Sequence, residues 1–503
     1  MSSSPPREGR ALDRHFLSGL AWTGFVKWGS QALSWISTVV VARILSPGDF
    51  GIIGMTATYM ALVTVLSEFG LGFAVINRRV VSSLQLAQLQ TTCVFLGIAG
   101  LLVSFVMATP LALFFRVPEL TWVMMAMGTS FLVSSFRTVP GALLQRDLEF
   151  RTLAWIEGLQ AVVQAVIVVA LAILGFRYWS LVLGMVLGAG AAAIAASAVR
   201  PCGFAWPKRS IIGDALGYGR QILGGQLAWY VVSSADLLVV GRLLGASATG
   251  VYTMAFTIAS TPVEKITALV GRVAFPLFSH VRNDLPAMRR YFLLLTEGLA
   301  LAGMPLAIGL ALTADRFVPV VLGQKWLDAV VPLAILALLA TIRSFTPMIT
   351  HVLNAVGRQR FAMYNGFLMA GVGPIAFVVG AKLWGLPGVA VGWLAVMAVS
   401  LPFVTWATLS GIQLPFRTYL GALGPAASAC AIMTAAVLAA RFGLAGAGLS
   451  LTAAFLTEVA AGAIAYLGAV FLFHRHRIES IRSVLRREPG PAEPGRGGAE
   501  PAA

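Results

Sequence analysis

The chain has 503 residues, of which 58% are hydrophobic and only 11% charged. A soluble globular protein carries about 25% charged residues, so this composition excludes a soluble enzyme, a disordered chain and a coiled coil. The net charge of +16 comes from 36 Lys and Arg against 20 Asp and Glu, and its distribution along the chain decides what it means.

A membrane helix needs about 20 mainly apolar residues. The sequence predicts fourteen such spans: 17–41, 51–76, 91–114, 119–142, 153–174, 178–199, 219–240, 250–278, 292–313, 329–350, 362–381, 386–409, 419–440 and 448–473. The first is too long for the apolar core of a cleaved signal peptide and is expected to remain as a span. The connections are short, the longest running from Arg200 to Tyr218, so no soluble domain is expected. The ends, Met1–Arg14 and Glu488–Ala503, are rich in Pro and Gly and read as disordered tails.

With the N-terminus placed in the cytoplasm, 22 Lys and Arg fall on the cytoplasmic side, 8 on the opposite side and 6 inside spans. This is the positive-inside bias, and with an even number of spans it puts both termini in the cytoplasm. The basic charge is therefore topological, and no nucleic-acid partner is expected. The run His474–Arg477 is a juxtamembrane basic patch suited to anionic membrane lipid.

The chain also repeats itself. Val41–Met55 reads VARILSPGDFGIIGM and Val240–Met254 reads VGRLLGASATGVYTM, sharing V-x-R-[IL]-L-x5-G-[IV]-x-x-M at an offset of 199. A weaker match pairs Leu144, Gln145 and Arg151 with Leu353, Asn354 and Arg360. Six spans separate each pair, so the copies run in the same direction. The expected fold class is an all-α integral membrane protein of about 14 transmembrane helices. Two parallel six-helix lobes (17–199 and 219–409) would enclose a central cavity. A cytoplasmic linker (200–218) would join them, with a C-terminal helix pair (410–476), an N-terminal tail (1–16) and a basic, then Pro/Gly-rich tail (477–503). Parallel repeats about an axis along the membrane normal are a transporter architecture, with the substrate between them near the midplane.

A charge at mid-bilayer is costly and is a functional candidate by default. Lys27 lies near the centre of span 1, and its repeat equivalent is Gln226. Lys265 lies near the centre of span 8, with Glu264 beside it and Arg272 two turns on along the same face. Arg343 in span 10 is a further cation, while Glu68 and Asp236 are candidates for ion coupling or buried partners. Glu458 in span 14 is another candidate, but it lies outside the repeated bundles, where packing or a lipid groove is the alternative role. Arg137 and Arg220 lie near the cytoplasmic ends of their spans, where long side chains snorkel, and Glu157 and Glu297 also sit near an interface. Central cations with few central acids favour an anionic ligand such as a phosphate. Nucleotide-binding, serine-nucleophile and metal-ligand motifs are missing, so no catalytic residue, metal or cofactor is expected. Gly184 and Gly188 form a GxxxG of the kind that lets helices pack closely.

Five segments carry a family resemblance: ARILSPGDFG (42–51), FGLGFAVINR (69–78), VPGALLQRDLEFR (139–151), DLLVVGRLLG (236–245) and VLGQKW (321–326). With VLNAVGR (352–358), they resemble the Wzx-type oligosaccharide flippases of the multidrug/oligosaccharidyl-lipid/polysaccharide exporter superfamily. The resemblance implies two lobes forming a V around a cavity in the bacterial inner membrane. It implies transfer of an undecaprenyl-diphosphate-linked oligosaccharide to the periplasmic leaflet for exopolysaccharide, capsule or O-antigen, beside a polymerase and export proteins. Other exporters of the superfamily, carrying a peptidoglycan lipid precursor or drugs, are the alternative. A membrane-embedded polymerase or ligase is remote, because the largest outer connection, Ala314–Asp328, is short and holds no His.

Overall fold

The computed structural model describes residue 26 and residues 28–68, 82–207, 209–443 and 448–475. All regular elements among the described residues are helices. In chain order they are α1 (28–44), α2 (Pro47–Glu68), α3 (Ser83–Phe115), α4 (Leu120–Arg146), α5 (Phe150–Ile173) and α6 (Tyr178–Val199). The run Arg209–His280 breaks at Gly245 into α7 and α8. Next come α9 (Leu285–Phe317), a π-turn at Val318–Leu322, a short 3-10 helix at Gln324–Ala329, α10 (Val330–Arg343) and α11 (Thr346–Ala355). The run Gln359–Gly411 breaks at Gly385 into α12 and α13, and α14 (Phe416–Gly443) and α15 (Leu451–Phe473) end the order.

Nine helical stretches among the described residues are long and apolar enough to cross a membrane. The break at Gly245 has φ 85° and the one at Gly385 has φ 62°, a region open to glycine and costly for residues with a Cβ. Both fall where the sequence places a connection between spans. At the second, a Cβ on Gly380 or Gly388 would strike the other's carbonyl, so the arms α12 and α13 fold back against each other. The predicted span 329–350 is interrupted, with Arg343 ending α10 just before a turn at Ser344 and Phe345.

Local chemistry ends and starts the helices. Ser82 caps α3 by accepting from the Gln85 amide (3.2 Å), while Gln85 Oε1 accepts from the Ser82 amide (3.0 Å). These reciprocal bonds satisfy two of the donors that a helix start leaves open. Small residues set the spacing between helices. A Cβ on Gly128 would lie 2.6 Å from Ser104 Cβ, and one on Gly188 would lie 2.9 Å from Gln164 Cβ. Lipid offers apolar groups no incentive to leave it, so such close van der Waals packing does much of the work of association.

The described chain divides into two compact units. One holds the residues up to Ser260 with Ala314–Leu339 and Ala362–Phe403. Its core joins Ile52, Met55 and Tyr59 of α2, Ala108 and Phe115 of α3, Leu120, Met124 and Phe131 of α4, and Val182 of α6. The Tyr59 hydroxyl lies 3.2 Å from Ser104 Oγ within it. The other unit holds Thr261–Thr313, Ala340–Phe361 and the residues from Val404. There Cys430, Met433 and Val437 of α14 pack with Tyr466 and Val470 of α15 against Leu301, Met304 and Ile308 of α9. Glu458 is fully buried and receives Arg441 Nε at 2.8 Å and Nη2 at 3.2 Å, while Nη2 also donates to the Leu312 carbonyl. The geometry gives Glu458 a structural partner, in keeping with the packing role.

Candidate functional site

The sequence candidates divide by what the structure describes. Lys27 lies outside the described residues. Glu68, Gln226 and Arg272 lie on the described helices α2, α7 and α8, but their side chains are outside the description. Glu264 and Lys265 are exposed neighbours on α8, and Arg343 is partly buried. Asp236 is 2% exposed. Its Oδ2 accepts from Tyr252 Oη at 2.9 Å and Trp393 Nε1 at 2.8 Å, and its Oδ1 accepts from the Leu237 amide. One carboxylate therefore ties α7, α8 and α13 together. Periodicity gave no sign of Tyr252 or Trp393 as partners, because each reads as an ordinary apolar-face aromatic.

The two copies of the sequence repeat meet each other. A Cβ on Gly51 would overlap the Ala246 carbonyl, and a Cβ on Gly250 would overlap the Pro47 carbonyl. Gly250 lies 199 positions after Gly51, and Ala246 lies 199 after Pro47. The contact is thus reciprocal, as a two-fold relation between the copies requires. One turn further along, a Cβ on Gly54 would lie 2.7 Å from the hydroxyl of Thr253, its own equivalent.

The repeat arginines follow the same exchange. Arg43 Nε donates to the Val321 carbonyl at 2.9 Å and Nη2 donates to that of Val320, both in the π-turn that ends α9. Arg242 Nη1 donates to the Phe114 carbonyl at 2.7 Å, at the end of α3. Each arginine thus satisfies open carbonyls at the end of the third span of the other copy, where a cation also complements the helix dipole. Around Arg43 the contact widens. Trp326 Nε1 donates to the Ala42 carbonyl (2.9 Å), Lys325 Nζ donates to the Arg43 carbonyl (3.0 Å), and Phe50 stacks edge-on against Trp326. The segments ARILSPGDFG and VLGQKW, remote in sequence, are therefore two sides of one joint.

Asp49 in the first segment escaped the search for buried charges. It is 3% exposed, its Oδ2 receives the Ser46 amide and hydroxyl at 2.9 and 2.6 Å, and Arg177 Nε stands 3.3 Å from its Oδ1. Its place beside a helix start and within the S-P-G-D turn was the available signal. The joint gathers residues that the charge count places on the side opposite the cytoplasm, namely Arg43, Arg177, Arg242 and Lys325.

Comparison with known proteins places this architecture. The profile of the family described as polysaccharide biosynthesis protein matches residues 40–331, a stretch that holds both repeat copies and the Trp326 joint. The chain is 26% identical over 405 residues to the lipopolysaccharide biosynthesis protein WzxC of Escherichia coli (strain K12), covering 78% of this chain and 80% of that protein. It is 26% identical over 489 residues to the succinoglycan biosynthesis transport protein ExoT of Rhizobium meliloti (strain 1021), covering 95% and 97%. Its fold matches that of the lipid II flippase MurJ in an inward closed conformation, with TM-score 0.71 at 12% identity, over 91% of this chain and 99% of that one.

Proposed function

The chain belongs to the polysaccharide biosynthesis protein family, and on that premise we propose that it is a flippase for lipid-linked oligosaccharide. It moves an undecaprenyl-diphosphate-linked repeat unit from the cytoplasmic to the periplasmic leaflet of the bacterial inner membrane, for exopolysaccharide, capsule or O-antigen. It makes and breaks no covalent bond, and a polymerase and export proteins take up the product. The observation that carries this reading is the reciprocal joint of the two repeats. A transporter with alternating access needs one end of its bundle sealed by contacts that can later part. Relatives named for lipopolysaccharide and succinoglycan biosynthesis support the substrate class.

In this reading fourteen spans put both termini in the cytoplasm, and the lobes 17–199 and 219–409 flank the cavity, with the pair 410–476 beside them. The basic-residue asymmetry supports that orientation. Reporter fusions after Arg78, Arg209 and Arg358 are expected to report cytoplasm, and fusions after Arg43, Arg177 and Lys382 periplasm. A periplasmic signal at Arg209 would reject the two-lobe arrangement.

The diphosphate crosses a zone where an unpaired charge is costly, so it needs cations at mid-depth. Arg272 captures it, Lys27 and Lys265 carry it at the midplane, and Gln226 and Arg343 complete the polar lining. Glu264 and Glu68 balance the cations. Deleting the gene should make lipid-linked oligosaccharide accumulate on the cytoplasmic side. Lys27→Ala should abolish polymer export at normal protein level, Lys27→Arg should keep part of it, and Lys27→Glu should be worse than Ala. Wild-type export by Lys27→Glu would refute the cation relay.

A further inference from the structure

Helix α5 has two unlike faces. Trp155, Leu159, Val162 and Val166 recur at helical spacing and are 43–61% exposed, as a lipid-facing stripe should be. Glu157, Gln160 and Gln164 recur at the same spacing on the opposite side. There Gln160 Oε1 accepts from Arg137 Nη1 of α4 at 2.7 Å, and Glu157 Oε1 stands 3.9 Å from Arg137 Nη2. The side chains of Arg137 and Glu157 stay 29% and 37% exposed. Ser130 and Ser134 share the α4 face with Arg137, and Ser134 is exposed.

The cluster lies well inside both helices. The sequence ends its fourth span at residue 142 and so puts Arg137 within snorkelling reach of the cytoplasm. In the structure α4 continues to Arg146, and Leu143 and Leu144 in its last turns are buried. At a rise of 1.5 Å per residue, Arg137 lies roughly 13 Å from that end of its helix, and Gln160 roughly 15 Å from the start of α5. A partly exposed guanidinium in the interior of a helix, turned from the lipid-facing side of its neighbour, belongs in a water-filled interior.

We propose that Arg137, Glu157 and Gln160 form a binding site for sugar hydroxyls of the transported lipid-linked oligosaccharide. The assignment rests on the flippase reading above. A carboxylate accepts from a hydroxyl, while a guanidinium and an amide nitrogen donate to one, so neighbouring hydroxyls of a pyranose find both partners here. A guanidinium has five N–H donors, more than Gln160 and Glu157 use. Glu157 also cancels the charge of Arg137 and would repel a phosphate. The cluster therefore suits the neutral, hydroxylated part of the substrate and leaves the diphosphate to lysines and arginines elsewhere.

The test is binding by the full-length protein in lipid nanodiscs, with two probes. One is the lipid-linked oligosaccharide pool extracted from a host lacking this gene, and the other is undecaprenyl diphosphate without sugar. Gln160→Leu and Glu157→Gln should each weaken binding of the pool by about tenfold, as loss of one or two hydrogen bonds implies, and leave the bare carrier unchanged. Unchanged affinity for the pool in both variants would overturn the proposal. Equal loss for both probes would also overturn it, making the cluster a phosphate site or a structural one. A wild-type protein that binds neither probe would instead sink the flippase reading. Should the variants fold poorly, Ser134→Cys in a background free of native cysteines gives a second measurement. A water-soluble maleimide should label it, and the sugar-bearing pool, but not the bare carrier, should slow labelling. Absence of labelling, or equal protection by both probes, would reject the site.

Discussion

Replacing either Gly51 or Gly250 with alanine should abolish polymer export, whereas Gly48→Ala should export like wild type. A new Cβ at Gly51 or Gly250 overlaps a backbone carbonyl of the facing helix, and that oxygen is fixed by its own helix. The helices must then part along their whole contact, at a cost of at least about 1–3 kcal/mol for overpacking. The reciprocal arginine caps shift with them, because Arg43 and Arg242 reach carbonyls only across the same joint. At Gly48 the nearest atom to a Cβ is the Ser46 hydroxyl, 3.7 Å away, so the added methyl meets ordinary contact. Gly54→Ala is expected between these extremes, because the obstructing Thr253 hydroxyl can rotate. Surface polymer measured against protein level in membranes reads the outcome. If the Gly51 and Gly250 variants export as well as the Gly48 variant, the joint is not part of the transport cycle.

Asp236→Leu should lower both the thermal midpoint and the amount of protein in membranes, while Asp236→Asn should cost much less stability and keep export. Leucine removes the acceptor shared by Tyr252 and Trp393. Each buried donor left without a partner costs about 1–3 kcal/mol. Asparagine keeps an oxygen that accepts from both, although its NH2 then faces the Leu237 amide to which Oδ1 was the acceptor. Tyr252→Phe and Trp393→Phe should each cost less than Asp236→Leu, since the carboxylate then retains its other donor. The comparison separates two roles for Asp236. A buried tie between helices tolerates the amide, but a group that carries a proton or cation during transport does not. Loss of export by Asp236→Asn at an unchanged thermal midpoint would assign it to ion coupling.

The residues differ in how much of this they disclosed in advance. Apolar length announces a membrane helix residue by residue, so the class of the protein and most of its helix positions were readable without coordinates. Gly245 and Gly385 fell in connections already marked by short polar breaks. Asp236 drew notice as a charge inside a span, and Glu458 for the same reason. Their partners did not, because Tyr252, Trp393 and Arg441 become partners only through folding. The helix that carries Arg137 runs on to Arg146, past the span edge read from hydropathy, because hydropathy stops at the first polar residues whereas a helix can continue beyond them.

By itself, then, the sequence determined the membrane setting, the helical class and the doubled motif, because each is written in local composition or in direct self-similarity. The family resemblance rested on the same short segments. Only the tertiary structure decided that Gly51 crosses Gly250, that Arg43 and Arg242 exchange helix ends, and that Trp326 closes onto Ala42. Those contacts join residues from 128 to 284 positions apart. Hydropathy and helical period say which face of a helix is apolar, but in lipid every apolar face is already in a good solvent. Which faces then meet is decided by shape, by glycines that let backbones touch and by carbonyls that need donors, and these act only once the helices are side by side.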